Sequence, residues 1–81
     1  MSHIDIELSS PIEVDGATVT SVRLREPTVG DQLASDEVKG SEATKELTMF
    51  ANLCEIAPAD IKRLTLRDYR KLQKEFLNFL G

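Results

Sequence analysis

Asp15-Gly16 lies between two stretches in which apolar residues recur at every second position. Ahead of it, Ile4, Ile6 and Leu8 point one way while His3, Asp5, Glu7 and Ser9 point the other. This period of two reads as a strand with one buried face. Pro11 and then Ile12-Glu13-Val14 lead into the Asp-Gly pair. An Asp-Gly dipeptide between extended segments favours a tight hairpin, because glycine tolerates a positive φ. The return strand runs from Thr18 to Arg25, with Thr20, Val22 and Leu24 on one face and Val19, Ser21, Arg23 and Arg25 on the other. The pattern predicts a β-hairpin over residues 3–25, irregular near Pro11, which has no backbone N–H to give to a ladder.

Helical signals follow. Glu26-Pro27 stops the strand, and Thr28 with Asp31 three residues on predicts a capped helix over about residues 29–38. It is weakly amphipathic: Val29 and Leu33 share a face that Glu37 interrupts, and Lys39-Gly40 closes it. Ser41 caps a second helix over about residues 42–56. There Ala43, Leu47, Phe50 and Cys54 form one apolar stripe, and Met49, Leu53 and Ile56 a second. Two stripes need two surfaces to pack on, and in so short a chain one of those is expected to be another subunit. Pro58 breaks this helix and suits the start of a short helical turn that ends with Ile61 to Leu64. Thr65, with Asp68 three residues later, caps the last helix. Leu66, Tyr69, Leu72, Phe76, Phe79 and Leu80 lie along one side of it, and Arg67, Arg70, Lys71 and Lys74 along the other. The expected fold is α+β in a single domain spanning residues 1–81. An N-terminal β-hairpin is followed by one short and two longer amphipathic helices, with a short helical turn between the last two.

A chain of 81 residues has a thin core, because a domain of this size buries only about 60–65% of the surface its unfolded form exposes. Charged residues make up 30%, and no apolar run reaches the roughly 20 residues that cross a bilayer. The first residues lack a basic segment followed by an apolar one, and a single cysteine excludes an internal disulfide framework. Together these predict a cytoplasmic protein. Residues 1–61 carry four Lys or Arg against twelve Asp or Glu, a net of −8, while residues 62–81 carry +4. An acidic body with a basic tail suits electrostatic docking.

Little in the sequence suggests catalysis, and a non-enzymatic protein without cofactor or metal is expected. His3 is the only histidine and reads as a solvent-facing strand residue. Cys54 falls on the Leu47/Phe50 stripe and reads as a buried structural thiol. Asp31, Asp36 and Glu37 lack the alternating ligands and central glycine of a calcium loop. The basic side of the last helix suits phosphates, but no stacking aromatics are interleaved with its charges. Protein–protein recognition is better supported. Met49, Leu53 and Ile56, with Phe76, Phe79 and Leu80, are the candidate partner-binding residues, since large apolar groups presented to a partner are typical anchors.

Three runs carry a resemblance: Pro11-Ile12-Glu13-Val14-Asp15-Gly16, then Val22-Arg23-Leu24-Arg25-Glu26-Pro27-Thr28-Val29-Gly30-Asp31, then Leu66-Arg67-Asp68-Tyr69-Arg70-Lys71-Leu72. They resemble the short tail assembly chaperones of P2-like and Mu-like contractile-tailed phages and related prophages, from about Ile4 to Leu80. The stretch Leu24–Asp31 is the most specific part. The resemblance implies a protein that escorts the tape measure protein and helps tail tube protein subunits polymerise around it, and that is absent from the mature virion. It also implies a longer form made by translational frameshift, and no catalytic or ligand-binding residue. Self-association is a further expectation. A long apolar helical client would suit a groove lined by apolar side chains, and many weak copies along it would gain by multivalency. A DNA-binding regulator using the basic helix and a minor structural tail protein are the competing readings.

Overall fold

The computed structural model describes residues 2–81. A two-stranded antiparallel sheet of β1 (His3–Val14) and β2 (Ala17–Arg25) is followed by α1 (Val29–Asp36), α2 (Glu42–Cys54), the single turn α3 (Pro58–Ile61) and α4 (Leu66–Leu80). The α+β order expected from the sequence is the one observed. Val14 pairs with Ala17 across Asp15-Gly16, whose φ angles of 51° and 81° are the double left-handed pair that a two-residue hairpin turn requires.

The irregularity near Pro11 is a large bulge. Glu7 lies opposite Ser21 and Ile12 opposite Val19, so Leu8, Ser9, Ser10 and Pro11 stand against Thr20 alone. The extra residues change the phase of β2. Val22 and Leu24 are buried, but Val19 rather than Thr20 continues the inner face. The expected grouping of Thr20 with Val22 and Leu24 is corrected on that account.

Bulged residues leave ladder groups without strand partners, and here one carboxylate takes them. Asp68 is fully buried. Its Oδ1 accepts from the Ser9 N–H and the Ser9 hydroxyl, each at 2.8 Å, and its Oδ2 from the Ser10 N–H at 3.2 Å. Lys71 Nζ lies 3.2 Å from Oδ1 and donates onward to the Glu7 carbonyl at 2.9 Å. Burial alone would raise the Asp68 pKa. The Ser9 and Ser10 donors and Lys71 outweigh it and hold the carboxyl well below the usual range. Thr65 caps α4 as expected, its Oγ1 accepting from the Asp68 N–H at 3.2 Å. The Asp68 side chain, however, turns to the bulge rather than back to the cap.

The helices lie across the apolar face of the hairpin. Phe50 is fully buried on α2 and sets its ring 5.4 Å from both Tyr69 and Phe76 of α4, tilted by 53° and 58°. Tyr69 and Gln73 both donate to Glu46 Oε1, at 2.7 and 3.0 Å. Arg63, just past α3, reaches Asp60 Oδ1 at 2.7 Å and also donates to the Glu13 carbonyl of β1.

α2 ends two residues earlier than expected. Glu55 takes a left-handed conformation (φ 58°, ψ 40°), which lets the Ile56 N–H reach the Ala51 carbonyl at 3.1 Å. α1 also ends two residues early, and Gly40 (φ 127°) shapes the loop into Ser41 rather than the helix end.

Urea denaturation tests three outcomes. Asp68→Ala should cost about 2–3 kcal/mol at neutral pH, because several charge-assisted hydrogen bonds vanish together. Its folded-state pKa is depressed, so its contribution is complete above the unfolded value of about 4 and is lost as pH falls below that. The wild type should therefore lose stability on acidification more steeply than Asp68→Ala. Glu55→Gly should raise stability by about 0.5–1 kcal/mol, since glycine takes the left-handed conformation without a Cβ clash.

Candidate functional site

α1 is built against the usual rule. Its large apolar side chains, Val29 and Leu33, point outward, 78% and 61% exposed, and the residue it buries is Ser35. Ser35 Oγ donates to the Lys45 carbonyl of α2 at 3.2 Å, so the polar contact that docks the helix is satisfied. Val29 and Leu33 are one helical turn apart and share a face.

The chain holds α1 in this pose at its start. Thr28 Oγ1 accepts from the Asp31 N–H at 3.2 Å, and Asp31 Oδ2 accepts from the Thr28 N–H at 2.8 Å, a complete capping box. Arg25, at the end of β2, then grips Asp31 with two parallel hydrogen bonds of 2.8 Å each. The Arg25 guanidinium and the Thr28 donors hold the Asp31 carboxyl well below the usual range, against the opposing effect of burial. The same pair raises the Arg25 pKa.

Between α1 and the end of α4 lies a groove of about 260 Å³ lined by Pro27, Thr28, Val29, Gln32, Met49, Phe76 and Leu80. Leu80 is 61% exposed at its rim. Three of the six residues singled out in the sequence, Met49, Phe76 and Leu80, thus meet in one place. Met49 is buried as its floor, and Phe76 is half-buried against Phe50. The others lie elsewhere: Leu53 is buried in the core, and Ile56 and Phe79 are half-buried against it.

The expectation that α2 carries a stripe its own chain cannot cover is corrected. Met49, Phe50, Ala51, Leu53 and Cys54 are all buried, enclosed by the hairpin, α1, α3 and α4. The exposed apolar surface sits on α1 and α4 instead. Val29 and Leu33 were visible in the sequence as a shared face, but their spacing alone reads as inward-facing. The signal that could have marked them is the lack of any other large apolar residue on α1 to bury beside them. Leu66 and Leu77 are also exposed, Leu66 at the edge of a second apolar groove with Ala43, Leu47, Ile61, Leu64 and Tyr69.

Among the described residues, no three His, Cys, Asp or Glu side chains come together to hold a metal ion. Burial pushes the Cys54 thiol up to about 12, far from a reactive thiolate. His3 lies exposed on β1. Among the described residues, no helix is long and apolar enough to cross a membrane.

Neither among curated proteins nor among solved structures does anything match. A family model described as "Phage tail assembly chaperone proteins, E, or 41 or 14" matches residues 5–81. That span takes in the capping box, the Arg25–Asp31 grip, the Asp68 contact and every residue of the groove, and the chain belongs to this family of phage tail assembly chaperones.

Proposed function

We propose that the chain acts by binding, not catalysis, and that it holds an apolar helical segment of the tape measure protein against Val29, Leu33, Phe76 and Leu80 while tail tube protein subunits polymerise. The observation that carries this reading is the outward turn of α1, whose apolar pair is exposed while its serine is buried. A small domain gains nothing in stability from such a face, and exposed apolar surface beside a groove suits a partner helix. Met49 forms the floor of the site. Leu53, Ile56 and Phe79 contribute from the core side, by fixing the positions of α2 and α4.

In this reading the protein works in the host cell cytoplasm, leaves no copy in the mature virion, and coats its client as many weakly bound copies. Self-association, and association with a frameshift-extended form of the same chain, belong to the same proposal.

The test is co-purification with the tape measure protein. Val29→Asp combined with Leu80→Asp changes only exposed positions, so circular dichroism should stay at wild type. Retention of the client should fall by more than about tenfold, because each lost apolar anchor is worth about 1.5 kcal/mol or more. A folded double variant that retains the client as wild type does would overturn the proposal. Met49→Asp is no substitute, since it would place a carboxylate in the core.

A further inference from the structure

Two exposed helical strips carry charges that their own helices disfavour. α1 ends on Asp36, and its C-cap Glu37 keeps helical angles of φ −83° and ψ −11°. With 3.6 residues to a turn, Asp36, Val29, Leu33 and Glu37 lie side by side in one strip about 100° wide. All four are exposed. Gln32 donates to Asp36 Oδ1 at 3.1 Å, which leaves the charge unbalanced. Neither acid has an ion pair among the described residues. Lys39 is the only cation between Arg25 and Lys45. The dipole of a helix opposes anions at its C-terminus, where these two stand.

α4 shows the converse. Leu66, Leu77, Arg70, Lys74 and Arg67 follow one another around a strip again about 100° wide. All five are exposed, Leu66 by 71% and Leu77 by 64%. Arg67, Arg70 and Lys74 have no ion pair among the described residues. No acid falls within the strip. Asp68 is buried against the bulge of β1, and Glu75 lies on the β1 side of the helix, where it accepts from Asn78 at 3.0 Å. Arg67 stands in the first turn, where the dipole opposes cations. Arg67 and Arg70, and Arg70 and Lys74, also repel each other at spacings that bring side chains together.

We propose that, without its client, the protein masks Val29 and Leu33 in the outer face of α4 of a second copy, so that copy and client compete for one apolar pair. The inference rests on the client-binding reading above and adds the partner that holds that site closed. Each strip offers two large apolar groups flanked by charges of one sign, and the signs are opposite. Val29 and Leu33 pack against Leu66 and Leu77, while Asp36 and Glu37 meet Arg70, Lys74 and Arg67. Symmetric pairings set like charges together, acids on acids for two α1 strips and cations on cations for two α4 strips. The contact is therefore head-to-tail. It leaves one α1 strip and one α4 strip free at the ends, which further copies can extend.

The experiment measures the mass of the full chain alone, by sedimentation at rising concentration. Average mass should climb above that of the monomer and fall back in high salt. Asp36→Lys combined with Glu37→Lys reverses the α1 strip, and Arg70→Glu combined with Lys74→Glu reverses the α4 strip, all at exposed positions. Each double variant should keep the wild-type circular dichroism and associate at least about tenfold more weakly. Mixed in equal amounts, the two should associate again, because the α1 of each then meets an α4 of opposite charge. The Arg70→Glu/Lys74→Glu variant should retain the tape measure protein at least as well as wild type, since its α1 face is unmasked. The proposal is overturned if the wild type stays monomeric, if either variant associates as wild type does, or if the mixture fails to recover. It is also overturned if Arg70→Glu/Lys74→Glu loses the client. Association is measured without the client, so its failure is told apart from failure of the client-binding reading.

Discussion

One buried carboxylate holds the two ends of the fold together. The bulge in β1 puts successive amide groups where no strand can meet them, and Asp68 accepts from both Ser9 and Ser10. Without that acceptor the bulge would expose or orphan its donors, and the phase of β2 would have no reason to change between Val22 and Val19. The same side chain anchors Lys71, whose reach to the Glu7 carbonyl fixes α4 against the strand edge. The cost of burying a charge is offset here because the oxygens are satisfied from several sides. Phe50 then supplies the apolar counterpart, wedging α2 against α4 through Tyr69 and Phe76.

The second organising element is the grip of Arg25 on Asp31. A helix of eight residues has little stability of its own. α1 is held by its cap, by this ion pair and by one serine hydroxyl, none of which uses its apolar residues. That division of labour leaves Val29 and Leu33 free to face outward without loosening the helix. The exposed face of α1 is thus maintained by polar contacts beneath it, while the apolar groups that would otherwise anchor the helix remain at the surface.

Much of the architecture was legible from local signals. The Asp15-Gly16 turn, the three caps at Thr28, Ser41 and Thr65, and the break at Pro58 depend on residues next to one another, and all appear where the sequence sets them. The features that escaped depend on distant partners. Thr20 leaves the inner face because of a bulge whose donors are met 59 residues away by Asp68. Glu55 ends α2 in a conformation for which its residue type gives no warning. The candidate surface was half legible. Met49, Phe76 and Leu80 converge, but periodicity cannot tell a stripe that faces a partner from one that faces the core. α2 carries its second stripe into the core, and α1 turns its only apolar pair out.

The separation between the bulge and its acceptor has a consequence for synthesis. The serines emerge from the ribosome early, and the aspartate that satisfies them is translated 59 residues after Ser9. Until that stretch has cleared the exit tunnel, the hairpin has neither its polar acceptor nor the helical lid that lies over β1. Such long-range closure delays structure relative to local contacts. Completion of this fold is therefore a late event, timed by delivery of its final helix rather than by the speed at which its turn forms.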